Sequence, residues 1–171
     1  MVGAAVSVVV RPARPADAPA IAEVHVTGWQ VGYRGLVEDA YLDALSVADR
    51  VGTWAQRLAD GARVLVADDG RVRGFATTGP ARDDDVPAAA GEVYALYVHP
   101  EAWGRGVGGA LLTAALDDLA ARGHQGCVLW ALEGNARARG FYEHRGWVAD
   151  GGVKTEDHRG VLLREVRYRH A

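Results

Sequence analysis

The sequence predicts a single α/β domain spanning residues 1–171, with a mixed sheet flanked by helices. Three observations predict it. The chain has 171 residues, 49% of them hydrophobic and 24% charged, which suits one soluble core. Strand-like and helix-like segments interleave in the order β-α-α-β-β-β-α-β-α-β-β. No internal repeat or composition shift divides the chain.

The elements follow in order. Residues 6–10 are rich in valine and read as a first strand that stops at Arg11-Pro12. Asp17 can cap a helix carrying Ile21, Val24, Gly28 and Val31 at helical spacing. Trp29 and Tyr33 lie four apart on one side of that helix, and Gly32 and Gly35 break it. Ser46, with Asp49 three residues on, opens a second helix whose stripe is Val47, Val51, Trp54 and Leu58. It should run to about Asp60. Residues 64–67 and 72–77 flank Asp68-Asp69-Gly70, a hairpin signal. Residues 79–91 contain two prolines and Asp83-Asp84-Asp85, and read as a solvated loop.

A strand over 92–98 comes next, then a Gly-rich turn and a long helix. That helix carries Leu112, Leu116 and Leu119 and ends at Gly123. Residues 127–132 form a strand, and Asn135 opens a helix that stops near Gly146. Residues 147–148 and 161–168 supply the last strands, joined by a Gly-rich, charged connection.

Composition excludes several functions. The net charge is -3, and the arginines are scattered rather than gathered in a tract, so no nucleic-acid partner is expected. Cys127, the only cysteine, cannot form an internal disulfide; within its apolar run it reads as a small buried hydrophobe. The six histidines show no metal-ligand spacing, and no metal is expected. Residues 6–10 are too short to span a membrane and lack the flanks of a signal peptide. The expectation is a cytoplasmic protein with no membrane partner.

The most informative segment is Trp103-Gly104-Arg105-Gly106-Val107-Gly108-Gly109, between the strand over 92–98 and the long helix. The first amides of a helix have no intrahelical partners, and glycines let an anion approach them closely. A P-loop would need a closing Lys-Ser/Thr pair, which is missing. The spacing Gly104-x-Gly106-x-Gly108 also differs from the dinucleotide fingerprint.

Together with the preceding strand and the Val98-His99-Pro100 step, this segment resembles the acetyl-CoA signature of the Gcn5-related N-acetyltransferase (GNAT) family, Q/R-x-x-G-x-G/A. Gly106 and Gly108 match its glycines, while Trp103 stands at the Gln/Arg position. The resemblance implies a mixed, mostly antiparallel sheet flanked by helices, the GNAT (acyl-CoA N-acyltransferase) fold. It also implies acetyl-CoA as cosubstrate, its pyrophosphate on the backbone of Gly104, Arg105, Gly106, Val107, Gly108 and Gly109. Leu96, Tyr97 and Val98 would bind pantetheine and polarise the thioester through their main chain. Asn135 would touch the pantetheine arm, and Tyr142 would stand near the sulfur as acid to the leaving thiolate.

An alkyl ammonium with a pKa of about 10 is nearly all protonated at pH 7, so a base is useful. The resemblance places Glu92 at the family's catalytic glutamate. Four residues before Leu96, it is expected on the same face of the strand. Phe141 reads as plain core. Trp29 and Tyr33 are the candidates for the acceptor pocket, through ring packing or cation–π contact. The expected activity is acetyl transfer to a primary amine of a small molecule, in a ternary complex. A protein N-terminal or lysine acetyltransferase and a non-catalytic acetyl-CoA-binding module are the alternatives, and a homodimer is compatible with the sequence.

Overall fold

The computed structural model describes residues 7–171. Strand β1 (Val9–Pro12) begins later than expected, and Val6 lies outside the described residues. Helix α1 (Ala18–Gly32) follows a 3-10 turn at Pro15–Asp17. Asp17 precedes α1 without capping it. Its carboxylate turns back to the Arg11 guanidinium at 2.8 Å and the Arg14 amide at 2.7 Å, away from the α1 amides. A one-turn helix α2 (Asp39–Asp43) went unpredicted; five residues carry too little periodicity to show. Helix α3 (Val47–Ala59) starts where Ser46 Oγ accepts the Asp49 amide at 3.3 Å.

The remaining elements are β2 (Val64–Asp68), β3 (Val72–Pro80), β4 (Gly91–Val98), α4 (Val107–Ala121), β5 (Cys127–Leu132), α5 (Ala136–Glu143), β6 (Val148–His158) and β7 (Val161–His170). All seven strands form one sheet in the order β1-β2-β3-β4-β5-β7-β6. Every pairing is antiparallel except β4 with β5. The charged connection expected after residue 148 is in fact β6, an edge strand. A bulge between Ala149 and Val153 absorbs its glycines, and its apolar residues are too sparse to give a strand pattern.

Each face of the sheet has its own core. Leu111, Leu112, Ala115 and Leu119 of α4 pack with Val93, Leu129 and Tyr168 on one face. On the other, Ile21 and Val24 of α1 pack with Trp54 and Phe75. Cys127 is buried in the α4 core, where desolvation pushes its thiol up to about 12. Among the described residues no helix is long and apolar enough to cross a membrane.

The segment between β3 and β4 is not the free solvated loop expected. Buried Arg167 holds it down through Asp85 at 2.6 Å and Asp83 at 3.3 Å, and Asp83 also accepts the Trp130 indole N–H at 3.0 Å. These partners lie more than 40 residues away along the chain, out of reach of any local pattern.

Candidate active site

β4 and β5 pair only over Gly91↔Cys127, Glu92↔Val128 and Val93↔Leu129. Past Val93 the strands splay, and β4 changes from buried to half-buried over Tyr94–Val98. Backbone groups on that edge of β4 have lost their neighbouring strand and face a cleft of about 300 Å³. Leu96, Tyr97 and Val98 all line it.

One end of the cleft is the start of α4. Ala110 is the first residue of that helix to find an intrahelical acceptor, Gly106 O at 3.0 Å, so the amides of Val107, Gly108 and Gly109 are left without one. Gly104 and Gly106 have φ of +72° and +80°, the left-handed conformation that favours glycine and makes the turn tight. Trp103 Nε1 donates to Val98 O at 2.8 Å, tying the turn to the end of β4. The Arg137 guanidinium stacks 3.3 Å over that indole. Arg145 lies 3.9 Å over Phe141, beside Gly109. This end is strongly positive and suits a polyanion.

The middle of the cleft belongs to α5. Asn135 Oδ1 caps the helix by accepting the Ala138 amide at 3.1 Å, which leaves its amide nitrogen for the cleft. Tyr142, two turns on, is 8% exposed, and no hydrogen bond among the described residues engages its hydroxyl. Burial holds that phenol well above its usual pKa, with Tyr97 adding to the shift. It is a neutral donor over the physiological range. At the far end, Tyr33, which caps α1, meets Tyr97 hydroxyl to hydroxyl at 3.4 Å, and Glu165 from β7 completes the wall. Gly28 and Gly32 line the cleft as well, and a Cβ on them would make ordinary contact with Tyr97 at 3.6 Å and Trp103 at 3.8 Å.

Residues 28–147 match the profile described as the acetyltransferase (GNAT) family. The chain belongs to that family. An uncharacterised N-acetyltransferase of Bacillus subtilis (strain 168) is 34% identical over 128 residues, covering 75% of this chain and 73% of the relative. A Gcn5-related N-acetyltransferase structure from Rhodopseudomonas palustris superimposes with a TM-score of 0.78 at 28% identity, covering 96% of each chain. A putative acetyltransferase from Salmonella typhimurium, solved with its cofactor acetyl-CoA, has a TM-score of 0.69 at 23% identity, covering 96% of this chain and 93% of that one.

This acetyltransferase departs from the sequence reading at three positions. Glu92 does not share a face with Leu96. Thr77 pairs with Ala95 and Thr78 with Val93, so Tyr94 is an extra residue in β4 and reverses the alternation. Val93 and Leu96 therefore both join the α4 core, and Glu92 points to the opposite face. There it is 1% exposed, and Arg82 donates to it from Nη2 at 2.7 Å and from its backbone amide at 3.0 Å. Glu92 contributes no surface to the cleft.

Trp29 sits in a core cluster with Val37, Leu42, Leu132 and Leu163, its ring 4.8 Å from that of Tyr33. Of the two aromatics expected at the acceptor, only Tyr33 lines the cleft. Phe141, expected as plain core, is half-buried and lines it too. The residues missed in this acetyltransferase are Arg137, Arg145 and Glu165. The two arginines lie at helical spacing around Phe141 (i-4 and i+4), a signal that was legible. Glu165 carries none, since only strand pairing places it here.

Proposed function

We propose that this enzyme moves an acetyl group from acetyl-CoA to the primary amine of a small molecule, by direct transfer in a ternary complex. The observation that carries the reading is the narrowing of the acceptor end of the cleft. Leu36, in the segment after α1, meets the turn after β5 so closely that a Cβ on Gly134 would lie 3.1 Å from it. His158, near the tip of the β6–β7 hairpin, approaches Trp29 at 5.7 Å between ring centroids. These contacts narrow the acceptor end, which suits a small amine better than an extended peptide.

The residues present fit acetyl-CoA, which supplies an activated thioester when bound. The unpaired amides at the start of α4, backed by Arg137 and Arg145, suit its pyrophosphate. The free edge of β4 over Leu96–Val98 and the Asn135 amide suit the pantetheine arm. Tyr142, a neutral phenol on the cleft wall, is our candidate to protonate the departing thiolate. The test is an acetyl-transfer screen that follows free thiol against a panel of small amines and a panel of peptides. Turnover with small amines is expected. Turnover confined to peptides would replace this reading with a protein acetyltransferase.

A further inference from the structure

We propose that Glu165 receives the ammonium group of the acceptor and takes up its proton before transfer; this rests on the small-amine reading above. Among the described residues Glu165 is the only carboxylate that lines the cleft. It stands opposite Leu132, the last residue of β5, where the splay from β4 is widest. Its neighbour Val166 packs into the α4 core, so Glu165 points to the opposite face, toward Tyr33 and Tyr97.

Its carboxylate is not fully engaged. The nearest cation, Lys154 Nζ, is 3.6 Å from Oε2, longer than a charge-assisted hydrogen bond, and makes a closer contact of 2.6 Å with Glu156. The side chain is 18% exposed and lines the cleft. A partly buried anion with spare acceptor capacity, walled by two phenols, fits an alkylammonium.

The groups facing it are Lys154, Glu156 and His158 from β6, Tyr33 just after α1 and Tyr97 from β4. Burial is the largest influence on Glu165 and raises its pKa. Lys154 and His158 oppose that shift, and Glu156 adds to it. A carboxylate moved toward neutrality is a better general base. The cleft is also polarised, with Arg137, Arg145 and the α4 amides at one end and Glu165 at the other. Each end therefore selects its own substrate by charge.

The protons balance. One ammonium proton passes to Glu165, and the neutral amine attacks the thioester carbonyl, forming C–N as C–S breaks. Tyr142 gives its proton to the thiolate and regains one from the new amide nitrogen. Glu165 returns its proton to solvent after product release.

The test compares Glu165→Gln with the unmodified enzyme on two acceptors: an alkylamine, protonated at pH 7, and a hydrazide, neutral at pH 7. Acetyl-CoA affinity and Tm are measured alongside. The variant is expected to lose about 100-fold in kcat/KM on the alkylamine, with partial recovery at high pH, and less than about tenfold on the hydrazide. Its acetyl-CoA Kd and Tm should stay the same. Equal losses on both acceptors, or an unchanged pH profile, would overturn the assignment. An unmodified enzyme that acetylates neither would instead overturn the small-amine reading itself.

Discussion

Trp103 Nε1 donates to the carbonyl of Val98 across 2.8 Å, so the residue at the signature's Gln/Arg position holds the turn by its indole rather than by a charge. Arg137, stacked on that ring, restores the missing cation from α5. Trp103→Phe keeps the stacking surface and deletes one hydrogen bond, a loss of about 1 kcal/mol. Acetyl-CoA should bind about fivefold more weakly in a calorimetric titration. An unchanged Kd would show that the turn keeps its shape without this bond.

Gly106 and Gly108 separate two effects of a side chain in the turn. A Cβ at Gly106 meets nothing within 4 Å but would sit at a φ of +80°, whereas a Cβ at Gly108 lies 3.2 Å from the Phe141 ring. Gly106→Ala should cost about 1 kcal/mol of stability through backbone strain alone. Gly108→Val should displace Phe141 and raise the acetyl-CoA Kd at least about tenfold, or about 1.4 kcal/mol. Thermal melts and titrations on both variants check this.

Tyr142→Phe removes the one hydroxyl of α5 that faces the cleft. The ring contacts with Trp147 and Tyr168 remain, so Tm should hold. Turnover is expected to fall about 100-fold, with the acetyl-CoA Kd within about twofold. A loss confined to Kd would make Tyr142 a binding contact only.

Arg82 covers Glu92, which lines no part of the cleft. Arg82→Ala leaves a buried carboxylate with a single backbone donor and should cost about 2 kcal/mol. That corresponds to roughly 6 °C in Tm for a chain of this size. Glu92→Gln is expected to lower Tm while keeping kcat/KM for amines within about tenfold at neutral pH, a smaller loss than a general base causes. A 100-fold loss in kcat/KM at unchanged Tm would return the base to Glu92.

His25 accepts the Trp54 indole N–H at 3.2 Å within the α1–α3 core, and burial, with Arg50 and Arg57 adding, lowers its pKa to about 3. A histidine held neutral in the fold binds a proton on unfolding at any pH between about 3 and its usual 6.5, so stability falls as pH drops through that window. The penalty at pH 5 is about 2 kcal/mol relative to pH 8. His25→Gln, which can still accept from Trp54, should flatten this acid limb. Urea melts at pH 5 and pH 8 measure the difference.

The local features of this protein are legible along the chain. Strand β5 and the helices opened by Ser46 and Asn135 follow from periodicity and capping, which act over a few residues. The phosphate turn was legible for the same reason, since its glycines, strand end and helix start are contiguous. Tertiary structure alone decided which side chains share the cleft. A single extra residue at Tyr94 reverses the face of Glu92, and no composition rule reveals a bulge. Glu165 reaches the cleft because β7 inserts between β5 and β6, and Arg167 holds Asp83 and Asp85 because its partners come from across the chain. Pairing between distant strands sets these contacts, and a periodicity of two along one strand carries no record of its neighbour.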